Sequence, residues 1–191
     1  DTFPTVVDNV TTISATESNN QNAAIVALER SGYSVFNVKT YGGAKGDGST
    51  DDSTAIQNTI NAANSAGGGT VYFPPGTYVC SGLTIYGKIR YLGAGIENTI
   101  LKLKNSSNTF LAQTNGFASL TGTNGTGGEV NWMIEGITLD GNKASNGSAT
   151  VPVLRVYGYG FEVKSLRIRN GNNEGLYSEW STSLPSPGSD S

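Results

Sequence analysis

One stretch constrains the fold of this chain more than any other. It runs from Asn37 to Tyr78 and reads NVKTYGGAKGDGSTDDSTAIQNTINAANSAGGGTVYFPPGTY. It predicts a strand, a glycine-rich loop, one amphipathic helix and a second strand that ends at a Pro-Pro turn. Three glycines, Gly67 to Gly69, end the helix because glycine adopts left-handed backbone without a steric penalty. The apolar helix residues recur every three to four positions and so share one face: Ala55, Ile56, Ile60 and Ala63.

The acidic motif GDGSTDD, residues 46–52, precedes this helix. Thr50 or Asp51 can accept hydrogen bonds from the free N–H groups of the first turn, where negative charge also suits the helix dipole. A phosphate-binding loop would end in Gly-Lys-Ser/Thr, and a calcium loop would need alternating carboxylates and a closing Glu. The motif has neither, so we interpret it as helix capping and expect no metal site and no cofactor.

The composition excludes several classes of site. The chain has 191 residues, a formal net charge of −3 and no histidine, so it can form no Ser-His-Asp triad and no histidine metal site. Cys80 is the single cysteine, and we interpret it as a small buried residue. We expect no nucleic-acid partner because no basic patch is visible. We expect no membrane insertion because no apolar run is long enough to span a bilayer.

After Tyr78 the sequence repeats short apolar strands that are broken by Gly and Asn. The units EGITLDGN and KSLRIRNG align, and each closes on a Gly/Asn turn. Coils of roughly 20–30 residues with three short strands are what a parallel β-helix requires. Two polar segments, 113–129 and 143–150, interrupt the pattern and are predicted to be loops that leave the coil.

The ordered motif GAKGDGSTDD…AIQ…GGGTVYFPPGTY resembles the entry module of the pectate-lyase-like superfamily. The resemblance covers roughly residues 35–180. It implies an all-β fold, a right-handed parallel β-helix (a single-stranded solenoid) with an N-terminal α-helical cap. The module is shared by pectate lyases, polygalacturonases, β-1,3-glucanases and phage tailspikes or neck appendages. The resemblance therefore implies a platform for polysaccharide chemistry but transfers no catalytic residue.

Residues 1–35 are predicted to form a separate leader. A capping box at Ser14–Glu17 predicts a short helix that runs to about Arg30. Because a single short helix with a narrow apolar stripe is marginal alone, it needs a partner. The run FPTVVDNVTTISATESNNQNAAIVALE resembles segments of phage structural proteins. We therefore expect residues 1–35 to serve attachment or oligomerisation, and residues 36–191 to be the cap and first coils of a truncated β-helix.

Asp140 in LDGN is the first candidate catalytic residue. It lies where a strand meets a turn, and stacked coils would allow Glu174 or Glu179 to approach it. Hydrolysis of a glycosidic bond usually needs two carboxylates about 5–10 Å apart. The alternative, which we favour, is that Asp140 closes an Asx turn before Gly141.

Two aromatic residues near Glu179 are candidates for carbohydrate binding. Tyr177 and Trp180 are predicted to form a surface on which sugar rings stack, because aromatic faces pack on the apolar faces of sugars. The alternative is that both belong to the core of the next coil.

Two functions follow from these observations. The first is a phage virion appendage, a tailspike or neck appendage, that recognises a cell-surface polysaccharide; full-length proteins of this type often also degrade such a polymer. We expect such a protein to be a homotrimer and to contact other virion proteins through its leader. The second is a secreted polysaccharide-degrading enzyme, a glycoside hydrolase or pectate-lyase-like enzyme. In either case we expect the main active site to lie downstream of these residues.

Overall fold

A computed structural model describes residues 34–117 and 128–179, which form strands with one α-helix among them. Helix α1 (Ser53–Ser65) lies between the second and third strands, and a 3-10 turn (Lys143–Ser145) follows the tenth. The strands in chain order are β1 (Val35–Asn37), β2 (Asp47–Asp51), β3 (Gly69–Phe73), β4 (Gly76–Cys80), β5 (Leu83–Ile85), β6 (Ile89–Gly93), β7 (Thr99–Leu103), β8 (Ala112–Thr114), β9 (Glu129–Val130), β10 (Met133–Asp140), β11 (Leu154–Tyr159), β12 (Glu162–Arg169) and β13 (Leu176–Glu179).

The described strands pair in parallel, each with its counterpart one coil away. An 8-stranded sheet carries β1, β3 and β6 on a first face and β2, β4 and β7 on a second face. Strands β10 and β12 are long enough to serve both faces, because β10 pairs with β6 through its first half and with β7 through its second. A third face contains β5, β8, β11 and β13. This curled parallel sheet is consistent with the predicted parallel β-helix.

The core lies inside the coil, where equivalent positions of successive strands stack. Strands β3, β5 and β7 alternate buried and partly exposed residues, because successive side chains point to opposite faces. Burying one large apolar side chain contributes about 1.5–3 kcal/mol, so a column of such residues supplies much of the stability. Each face contributes such a column in the register. The first face has Val71, Tyr91 and Ile134, the second has Tyr78, Leu101 and Leu139, and the third has Leu83, Ala112 and Leu154.

Helix α1 begins and ends close to the predicted positions and packs against β1, β3 and β5. Its buried residues include Ile56 and Ile60. The Asp51 carboxylate accepts a hydrogen bond from the Ser53 N–H at 3.0 Å, as predicted for the first turn. That α1 is the lid of the coil stays a prediction. In the described ranges, no helix has the length and apolar character needed to cross a membrane.

Some elements differ from the sequence-based expectation. The motif predicted as a glycine-rich loop contains β2, an irregular strand with a shifted register against β4. Strands β8 and β11 were not predicted, and β8 overlaps the start of the segment 113–129 that was interpreted as a loop. Cys80 is fully buried at the end of β4, and burial raises the pKa of its thiol. The predicted leader lies outside the described residues, apart from residues 34 and 35.

Gly42 has a clear packing reason. A Cβ atom there would collide with the Ala55 carbonyl and the Thr59 side chain of α1. The absence of a side chain therefore lets the loop between β1 and β2 lie directly against the helix.

Candidate functional site

Asp140 ends β10 and is the centre of a polar cluster that we call the Asp140 corner; Asp140 and Asn142 are buried in it, and Arg169 and Asn170 are exposed. The Asn142 N–H donates to Asp140 Oδ1 at 2.9 Å, which is the hydrogen bond of an Asx turn. Arg169 Nε donates to Oδ2 at 2.9 Å, and the Asn170 amide donates to both carboxylate oxygens. The Asp140 side chain is only 7% exposed. These bonds occupy the carboxylate with structural partners and leave it little access to a substrate.

The predicted acid partners of Asp140, Glu174 and Glu179, are not its register neighbours on the next coil. The residue beside Asp140 on the next coil is Arg169, a base. Glu174 is exposed in the loop before β13, and its carbonyl accepts from the Val153 N–H. Glu179 ends β13 opposite Tyr157. A catalytic pairing of Asp140 with either glutamate stays a prediction.

The Asp140 corner gives the chain a predicted sensitivity to acid. Burial alone would raise the pKa of Asp140, but the hydrogen bonds from Asn170, Asn142 and Arg169 outweigh it and lower the pKa below its ordinary value of 3.8. The Lys104 ammonium and the Ser53 hydrogen bonds lower the pKa of Asp51 to about 2. Both groups titrate lower in the folded chain, so their stabilisation is present above the ordinary pKa and is lost as pH falls through the folded one.

We therefore expect the free energy of unfolding to stay level above about pH 5 and to decrease between about pH 4 and pH 2. Urea unfolding followed by circular dichroism across this range measures the effect. The Asp140→Asn variant, which cannot ionise at this position, is the matched control and should lose less stability over the same interval. An equal loss in both chains would show that Asp140 does not contribute.

Acidic and basic side chains alternate on the outer surface of the first face and at its edge. We call this surface the charged face, and its residues are Arg90, Glu97, Glu135, Glu162, Lys164 and Arg167. Arg90 pairs with Glu135 at 2.6 Å, Lys164 with Glu162 at 2.5 Å and Arg167 with Glu97 at 2.5 Å. Such exposed pairs add little stability because water screens them. The charged face is therefore a polar surface with balanced charge, suited to a ligand rich in hydroxyl groups.

Two carboxylates of the charged face lie on adjacent coils. Glu135 is opposite Lys164 in the register, and Glu162 is opposite Met133, so the two acids are diagonal neighbours on β10 and β12. Strand spacing and rise place their Cα atoms about 8 Å apart. Among the described residues, no group of three or more Asp, Glu or Cys side chains is placed to hold a metal ion together.

The third face carries a cluster of aromatic and polar side chains around Arg155, which we call the Arg155 cluster: Phe110, Gln113, Phe117, Arg155 and Tyr177. The guanidinium carbon lies 4.3 Å from the Phe110 ring centre and 4.7 Å from that of Phe117. Arg155 Nη2 donates to Gln113 Oε1. Tyr177 contacts Phe117 edge to face, with ring centres 6.1 Å apart, and is 38% exposed.

The predicted aromatic residue Tyr177 therefore lies on an accessible surface rather than in a covered core. It follows Gln113 and Arg155 in one outward row, since the register pairs Gln113 with Arg155 and Arg155 with Tyr177. Trp180, its predicted companion, lies outside the described residues. A sugar-stacking role for either residue stays a prediction.

Sequence reasoning missed Arg155 and the glutamates of the charged face. The alternation in Leu154, Arg155 and Val156, of which only Arg155 escapes full burial, was a signal for a strand with one outward base. Aligning EGITLDGN with KSLRIRNG residue by residue would also have placed Glu135 opposite Lys164, as in the register. The aromatic neighbours of Arg155 had no such signal, because they flank β8, which was not predicted.

Proteins that act on polysaccharides resemble this chain in sequence and structure. Mannuronan C5-epimerase AlgE6 of Azotobacter vinelandii is 41% identical over 121 residues, which are 58% of this chain and 13% of the epimerase. The A-module of mannuronan C-5 epimerase AlgE4 from the same organism superposes with a TM-score of 0.61 and 28% identity, over 75% of this chain and 41% of the module.

A viral protein resembles the chain over a longer stretch. ORF18 of Geobacillus virus E2 superposes with a TM-score of 0.59 and 25% identity, over 93% of this chain and 31% of ORF18. The chain thus spans less than half the length of each of these proteins.

A family model covers most of the described coil. The model described as Rhamnogalacturonase A/epimerase, pectate lyase-like matches residues 35–151, from β1 to the loop before β11. This confirms the resemblance identified from the motif that precedes and includes α1. The chain belongs to this pectate-lyase-like family.

Proposed function

We propose that this chain is the N-terminal part of a phage virion appendage, of the tailspike or neck-appendage type, that recognises a cell-surface polysaccharide. The observation that carries the proposal is the likeness to ORF18 of Geobacillus virus E2, which covers 93% of the chain, against 75% for the epimerase module. The viral protein thus accounts for more of the chain than the enzyme does. A virion location follows from this proposal.

The coil supplies a rigid surface for a long, repetitive ligand. Successive strands lie about 4.8 Å apart, so outward side chains form regular rows along the coil axis. Tyr177 offers a partly exposed ring on which a sugar can stack, and Gln113 lies in the same row. The paired acids and bases of the charged face supply donors and acceptors for sugar hydroxyls. We propose that the polysaccharide is bound along such rows, and that its degradation, where it occurs, uses residues further along the protein.

The proposed appendage is a homotrimer joined to other virion proteins through residues 1–35. Light scattering after size exclusion should therefore give a mass three times the 19.9 kDa of one chain. Removing residues 1–33 should lower that mass to one chain, if the leader holds the trimer together. A monomer would contradict a trimer held together by residues 1–35. It would favour a secreted enzyme or trimerisation elsewhere in the protein, and repeating the measurement on a longer chain separates these two.

A secreted polysaccharide-degrading enzyme is the second candidate, and one observation favours it. Glu135 and Glu162 are exposed or partly exposed carboxylates on adjacent coils, and glycoside hydrolysis uses a pair of carboxylates. Against this, each carboxylate is already occupied by an ion pair, with Arg90 or Lys164.

Product formation separates the two candidates. The chain is incubated with acidic and neutral polysaccharides while reducing ends and the absorbance of unsaturated products are recorded. The appendage proposal predicts binding without products from these residues. Products that disappear in both Glu135→Gln and Glu162→Gln, but persist in Glu97→Gln, would establish the enzyme instead.

A further inference from the structure

Arg155 differs from the other arginines that the structure describes. Arg90, Arg167 and Arg169 each pair with a carboxylate within 3.0 Å. For Arg155, no described acidic side chain lies within ion-pair distance, and its polar contact is the neutral amide oxygen of Gln113. Among the acidic side chains that the structure describes, none therefore compensates the positive charge of Arg155.

The surroundings of Arg155 also limit its hydration. Phe110 and Phe117 cover the guanidinium, and burial lowers the pKa of Arg155. Its Nε atom is buried and has no hydrogen-bond partner in residues 34–117 and 128–179. Removing a charged donor from water is unfavourable unless a partner compensates for the loss. Cation–π contacts with the rings recover part of this loss but do not neutralise the charge.

The cluster nevertheless holds the guanidinium in a fixed orientation. Gln113 binds one N–H of Nη2, and the aromatic rings restrict the plane of the group. The other Nη donors remain available, and a planar guanidinium binds a carboxylate or sulfate through two parallel hydrogen bonds. Tyr177 lies next to Arg155 in the row and presents a ring that can support the adjoining sugar.

We propose that the Arg155 cluster is a binding site for the anionic group, carboxylate or sulfate, of an acidic sugar unit in a polysaccharide. The proposal rests on the proposed polysaccharide-binding function and adds the chemical class of the ligand and its location on the third face. Arg155 binds the anion, Gln113 orients the guanidinium, and Tyr177 packs against the sugar ring.

The test compares ligands that differ only in charge. Polygalacturonate and its methyl ester share one backbone, as do dextran sulfate and dextran, and isothermal titration with the full chain gives the Kd of each. We expect at least one acidic polymer to bind at least about tenfold more tightly than its neutral partner, since a charge-assisted hydrogen bond contributes about 1.5–3 kcal/mol. Whether that polymer is the uronate or the sulfate identifies the anionic group.

Variants assign the preference to Arg155. Arg155→Gln should abolish the difference between acidic and neutral polymers, and Arg155→Lys, which keeps the charge without the planar fork, should retain part of it. Lys45→Gln removes an exposed base from the loop before β2, outside the proposed binding surfaces, and should leave it unchanged. The circular dichroism spectrum and melting temperature of each variant establish that it is folded. If Arg155→Gln does not fold, Gln113→Leu and Tyr177→Ala test the same site, because both residues belong to the Arg155 cluster.

The outcomes separate this inference from the function on which it rests. Equal binding of acidic and neutral polymers by the unaltered chain, or an acidic preference that survives in folded Arg155→Gln, would overturn the anion site and leave polysaccharide recognition standing. An unaltered chain that binds none of these four polymers, nor any polysaccharide of a wider panel, would contradict both.

Discussion

Replacing Ile56 by Asp is expected to lower the free energy of unfolding by at least about 4 kcal/mol. Ile56 is fully buried on the face of α1 that packs against β1, β3 and β5. The substitution removes a buried apolar side chain and puts a carboxylate in its place. Among the described residues, no basic side chain forms an ion pair with this face of α1. If α1 is the lid of the coil, its loss also exposes the apolar columns of the first strands, so unfolding should extend beyond the helix.

The matched control is Asn58→Asp, which adds the same charge at an exposed position of the same helix. We expect this control to change the stability by less than about 0.5 kcal/mol. Urea unfolding, followed both by circular dichroism and by tryptophan fluorescence, measures each variant. Similar transitions for Ile56→Asp and Asn58→Asp would contradict the assignment of α1 as a cap.

Replacing Asp140 by Ala should lower the free energy of unfolding by about 3 kcal/mol. Breaking a buried ion pair costs about 3–5 kcal/mol, and the partial exposure of Arg169 reduces this figure. The substitution also leaves the Asn142 N–H and the Asn170 amide without their acceptor. Asp140→Asn keeps an oxygen for the Asx turn, so it should be the milder of the two changes.

The same variant tests whether Asp140 is catalytic. Because the Asp140 corner occupies both carboxylate oxygens, we expect Asp140→Asn to leave any polysaccharide cleavage by this chain intact. The rate should be compared at a temperature where circular dichroism shows that both chains are folded. Complete loss of cleavage by folded Asp140→Asn would contradict the structural role and restore Asp140 as a catalytic candidate.

The parts of the fold that sequence reasoning predicted are those with strong local signals. Helix α1 was predicted because its apolar residues follow the helical period and three glycines stop it. Strands such as β5 and β7 were predicted because their buried residues alternate. Strand β8 was missed because only three residues, Ala112–Thr114, form it, and its inward positions hold an alanine and a threonine. So short a strand derives its conformation from its neighbours β5 and β11 rather than from its own sequence.

The sites were harder to predict, because they depend on which coil positions become neighbours. Asp140 was identified from its position before a turn, and the Asx hydrogen bond follows from that local pattern. The alignment of EGITLDGN with KSLRIRNG also places Asp140 opposite Arg169, as in the register, but the ion pair between the two side chains was not predicted. The Arg155 cluster contains Phe110 and Phe117, which lie on the two sides of β8. Its identification therefore required the three-dimensional structure.

The most direct test of the central claim is equilibrium binding of the full chain to a panel of bacterial surface polysaccharides, with reducing ends measured in the same samples. Our account predicts saturable binding of at least one polysaccharide, without new reducing ends from these residues. It also predicts that Tyr177→Ala weakens that binding while the chain stays folded. A folded chain that binds no polysaccharide of the panel would contradict the account.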